Sequence, residues 1–133
     1  MTFATHPSIR VHQDRGVVFL TYEQPLPIWD WCATVDQLMA RAEDKPLHVV
    51  SDRRNLPCAA CVFDLRIAVE YVTDCRDALR GTRWAIVTRP DSADYGMARL
   101  ASAMINTAGD PIELAVFTDT AEATAWVGMA ADA

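Results

Sequence analysis

At 133 residues the chain has the length of one domain, enough for a hydrophobic core and too short for two. Apolar residues make up 51% and charged residues 23%, a globular balance rather than a disordered one. Twelve basic against eighteen acidic residues leave a formal charge of -6, and no Lys or Arg stripe runs along the chain to follow a phosphate backbone, so no nucleic-acid partner is expected.

The longest apolar run, Cys58 to Phe63, falls far short of the about 20 residues of a membrane span. The first residues form neither a basic n-region nor an apolar h-region, so the expected address is the cytoplasm. Cys32, Cys58, Cys61 and Cys75 are then expected as reduced thiols rather than as a disulfide framework.

In chain order, Ile9 and Val11 and then Gly16-Val17-Val18-Phe19-Leu20-Thr21-Tyr22 read as two strands joined by a turn at Asp14-Arg15-Gly16. Pro25 and Pro27 end the extended run, and Pro27 suits the first turn of a helix. Ile28, Cys32, Val35, Met39 and Ala42 then lay one apolar stripe along that helix. Leu47-His48-Val49-Val50-Ser51 has the composition of a buried central strand, left through Asp52-Arg53-Arg54-Asn55.

Leu65, Ala68, Val72, Cys75 and Leu79 give a second helical stripe, with Gly81 placed for a left-handed cap. Thr82 to Thr88 is the next strand. Pro90-Asp91-Ser92 opens a third helix with Met97, Ala101, Met104 and Ala108 as its stripe and Gly109 at its end. Ile112 to Phe117 is the fifth strand. Asp119 caps a last helix whose expected apolar face is Ala125, Trp126 and Met129. The order ββαβαβαβα predicts a single α/β domain with a mixed sheet, an antiparallel opening hairpin and helices packed on it.

That order, together with Gly16-Val17-Val18-Phe19-Leu20-Thr21-Tyr22, Tyr95-Gly96-Met97-Ala98-Arg99, Val116-Phe117-Thr118-Asp119 and Ala125-Trp126, resembles the bacterial SpoIIAA-like family of STAS/SEC14-type domains. The resemblance spans almost the whole chain and implies a non-enzymatic regulatory or protein-interaction domain. Antagonists of the STAS group carry a phosphorylatable Ser or Thr at the start of the helix after their third strand. Here Cys58-Ala59-Ala60-Cys61-Val62-Phe63 occupies that region, with neither hydroxyl nor glycine.

The glycines stand singly, so no dinucleotide fingerprint, P-loop or nucleophile elbow assembles, and no cofactor or catalytic residue is assigned. His6, His12 and His48 lack metal spacing, and His48 reads as a hydrogen-bonded core or edge residue. Cys58 and Cys61 have the C-x-x-C spacing of a redox pair beside a helix start; against that reading stand the absent Trp-Cys-Gly-Pro-like context, the preceding Pro57 and the use of cysteine as a common small hydrophobe.

Ligands of open α/β sheets bind at the carboxyl ends of the strands. Asp52, Arg53, Arg54, Arg89, Ser92, Thr118 and Asp119 fall there, either as an anion crevice or as surface ion pairs. At about 100° per residue, Trp29, Tyr95 and Arg99 face away from their helices' stripes, which fits a surface for a second copy or another protein. The functions in contention are that interaction domain, a carrier of a small apolar or lipid-like ligand, and a thiol-redox protein using Cys58 and Cys61.

Overall fold

The computed structural model describes residues 7–42, 45–56 and 62–131. Two short strands, β1 (Ile9–Asp14) and β2 (Val17–Tyr22), pair antiparallel with Asp14 opposite Val17. Arg15 and Gly16, the two residues between them, both take positive φ (52° and 80°), the mirror-image turn that matches the twist of paired strands. The expected opening hairpin is therefore present.

Beyond it come α1 (Ile28–Arg41), β3 (His48–Asp52), α2 (Val62–Asp74), β4 (Arg83–Val87), α3 (Ala93–Ala108), β5 (Glu113–Phe117) and α4 (Thr120–Ala131). The strands stand in chain order, β1-β2-β3-β4-β5, and every pairing after the hairpin is parallel. This is the α/β domain predicted from the spacing of the apolar residues.

Side chains alternate across the sheet, so each inner strand feeds two cores. Val18, Leu20, Val49 and Trp84 point to one face, where Val35 and Leu38 of α1, Val72 of α2 and Ile105 of α3 cover them. Val17, Val50, Ala85 and Val87 point to the other, covered by Ala123 and Val127 of α4. Three helices lie on one side of the sheet and one on the other.

The α1 stripe lies as expected, with Cys32, Val35 and Leu38 buried. In α2 the stripe outruns the helix: the helix ends at Asp74, and Leu79 reaches the core from the turns that follow. Gly81 still takes positive φ, at 81°, but as part of the lead into β4, where its N–H donates to Pro111 O (3.0 Å).

Two faces differ from expectation. In α3 the fully buried positions are Asp94, Ala98 and Ile105, while Met97, Ala101 and Met104 of the expected stripe are half-buried and Ala108 is exposed. In α4 the buried positions are Ala123 and Val127, while Met129 is 68% exposed and Ala125 is exposed. Trp126 of the expected face does pack on this core, and an alanine-rich helix with apolar side chains on several sides leaves its rotation open in the sequence.

His48 is a buried strand residue whose Nδ1 accepts from the Arg83 N–H (3.1 Å). Burial, and then the nearby Arg83 charge, holds its imidazole below the ordinary histidine range.

Two glycines test this architecture in opposite directions. A β-carbon at Gly81 would stand 3.2 Å from Pro46 Cγ on a backbone at positive φ. Gly81→Ala should therefore lower unfolding free energy in urea by more than about 1 kcal/mol. Helical Gly96 has open space around it, so Gly96→Ala should raise that free energy by about 0.5–1 kcal/mol.

Candidate functional site

A partly open crevice of about 180 Å³ lies on the three-helix face of the sheet. Its floor is Tyr22, Ser51, Trp84 and Ile86, and its walls come from the N-terminal parts of α1, α2 and α3 with Pro25 and Leu26. Ile28, Trp31, Leu56, Leu65 and Met97 make most of the wall apolar. The rings of Trp31 and Trp84 lie 6.2 Å apart at 56°, and Trp31 meets Tyr71 edge-on at 5.7 Å.

One charged pair is built into this apolar wall. Arg53 Nε donates to Asp94 Oδ2 (2.9 Å) and its Nη2 to Asp94 Oδ1 (3.2 Å), a bidentate fork with side chains 23% and 5% exposed. The guanidinium sits 5.0 Å from the centre of the Tyr22 ring. Burial works against its charge, and the Asp94 hydrogen bonds, with Tyr22, outweigh burial and raise its pKa. The Arg53 N–H donates to Val87 O (2.8 Å), which fixes the backbone from which the side chain projects. The Tyr22 hydroxyl is buried beside this guanidinium.

Of the crevice candidates, Arg53 alone lines the cavity. The period-two alternation of an extended chain separates it from its neighbours: Ser51 and Arg53 face the crevice, and Asp52 points the other way. There Asp52 pairs with Arg54 (2.8 Å), which also feels Asp119. Burial pushes the Asp52 carboxyl up, but the Arg54 hydrogen bonds prevail and hold it below its ordinary value.

Ser92 caps α3, accepting from the Tyr95 N–H (3.2 Å) and donating to Arg89 O (2.7 Å). Arg89 donates to Leu56 O (3.4 Å), and Asp119 accepts the Ala121 N–H (2.9 Å) at the start of α4. These residues hold loops and helix ends. They do not form a common anion site with Arg53.

Trp29 projects from α1 at 68% exposure. Tyr95 is half-buried, and the exposed Arg99 guanidinium lies 5.7 Å from its ring centre. Cys58 and Cys61 lie outside the described residues. Burial pushes the Cys32 and Cys75 thiols up, which suits packing rather than nucleophilic chemistry. Among the described residues, no three His, Cys, Asp or Glu side chains cluster as a metal site requires, and no helix is long and apolar enough to cross a membrane.

Sequence reasoning missed Asp94, Tyr22, Trp31 and Trp84 as site residues. Asp94 stands one helical turn before Ala98, a spacing that marks a shared face, but an acid in a first helical turn is explained as readily by the helix dipole. Comparison with family models, curated proteins and solved structures finds no match for this chain.

Removing Asp94 would leave Arg53 desolvated without its counter-charge. Asp94→Ala should cost about 2–3 kcal/mol in urea unfolding, below the range for fully buried pairs because Arg53 keeps some water contact. Asp52→Ala, which breaks the more exposed pair, should cost under about 1 kcal/mol.

Proposed function

We propose that this domain is a non-enzymatic regulatory module that binds a small, mainly apolar molecule in the crevice between the sheet and α1–α3. The observation that carries the reading is a cavity of about 180 Å³ with a mainly apolar wall and a paired Arg53 and Asp94 at its edge. Pockets of this type combine apolar area for affinity with a few fixed polar groups for orientation. The SpoIIAA-like resemblance supports the regulatory side of the proposal. The crevice has room for about one ring, and because it is partly open the rest of a longer ligand would project into solvent.

Native mass spectrometry of the protein purified gently from its own source tests the reading. Wild type should carry a stoichiometric small-molecule mass. Ala101→Leu, which puts a larger side chain into the crevice wall, should lose it while keeping its melting temperature. Equal apo masses for both proteins would count against ligand binding.

A second reading rests on Trp29, an aromatic at 68% exposure on α1. Large exposed aromatics dominate the energetics of protein interfaces, and a homodimer or another protein would cover it. Trp29→Ala should shift sedimentation toward the monomer without lowering thermal stability. A monomeric wild type would leave self-association without support.

A further inference from the structure

Resting on the ligand-binding reading, we infer that the crevice holds its ligand by a carbonyl oxygen, which accepts hydrogen bonds from the Trp84 indole N–H and the Ser51 hydroxyl. Both residues line the cavity, and they are only 5% and 2% exposed. Neither polar group makes a hydrogen bond among the described residues.

Side-chain polar groups buried this deeply are nearly always paired, so two unpaired ones on one cavity call for a partner from outside the chain. A sealed void does not explain them. The hydroxyls of Tyr22, Thr82, Thr88 and Thr120 are unpaired and also closed off from water, whereas the Trp84 N–H and the Ser51 hydroxyl are not closed off. With the rest of both residues packed in the core, the cavity they line is where these groups open.

The sheet brings the two donors to one place. Ser51 stands opposite Ile86, two residues along β4 from Trp84, and the period-two alternation of strands puts all three side chains on the three-helix face. An indole N–H only donates, and a serine hydroxyl donates or accepts. A carbonyl oxygen, with two lone pairs and no proton of its own, accepts from both. The apolar remainder of the ligand lies against Trp31, Leu65 and Met97, where there is room for about one ring.

The test is an NMR titration of the intact protein with cyclohexanone and methylenecyclohexane, rings of one shape that differ in carrying C=O or C=CH2. Neither probe is aromatic, so neither adds a ring-current shift to the indole signals. The indole N–H signals of Trp31 and Trp84 report on the crevice, and those of Trp29 and Trp126, which do not line it, serve as controls.

Cyclohexanone should move the Trp84 indole proton downfield, and methylenecyclohexane should perturb it without that shift. The alkene is the more hydrophobic probe, so the quantity to read is the ratio of ketone to alkene affinity rather than either affinity alone. Ser51→Ala should lower that ratio about threefold to tenfold, as the loss of one net hydrogen bond implies. Its alkene affinity should stay at the wild-type value, which also verifies that the variant keeps its crevice. If the ratio is the same in both proteins, or the Trp84 proton responds alike to both probes, the inference is overturned and ligand binding stands. If neither probe moves Trp31 or Trp84, both readings fall.

Discussion

A right-twisted strand that feeds a helix and returns to a parallel neighbour packs back on the sheet with one hand. In this protein the strands stand in chain order, so each parallel crossover steps the same way across the sheet. All three crossover helices consequently land on one face, and α4 is left to cover the other. The asymmetry of the molecule follows from that constraint. One face carries a thick core of Leu, Val, Trp and Tyr side chains, and the opposite face a thin one in which Ala123 and Val127 approach the strands closely.

The crevice is a consequence of the same arrangement. Parallel strands aligned in one direction put the starts of α1, α2 and α3 at the same end of the sheet, near the carboxyl ends of β2 and β3. Three helix starts converge there on a surface already occupied by large aromatic groups. Side chains fill most of the gap, and the remainder is the cavity beside Trp31 and Trp84.

The Arg53–Asp94 pair has a different value from a hydrophobic contact. Both groups leave water, at a cost that their mutual attraction and two hydrogen bonds offset only when the geometry is good. Such a pair adds little net stability over a well-packed apolar contact, whereas loss of one partner is costly because the other is left desolvated. It also places the Arg53 charge in the crevice wall already paired.

The hairpin, the parallel sheet, the number of helices and the caps at Ser92, Gly109 and Asp119 were legible in the sequence, because each depends on local periodicity or on one residue's backbone chemistry. The rotations of α3 and α4 were not, since Met97, Ala98, Ala101 and Met104 offer apolar atoms on two sides and α4 offers them on all sides. Arg53 was legible as a residue at the carboxyl end of a strand, but not as the one among Asp52, Arg53 and Arg54 that enters the cavity. That choice needs the phase of the strand against the helices. Sequence by itself determined the elements, their order and the ends of most of them, through forces that act within a few residues. Only the tertiary structure decided which face Asp94 turns to, what surrounds Tyr22 and where an opening remains, because these depend on how three helices from distant parts of the chain share one sheet face.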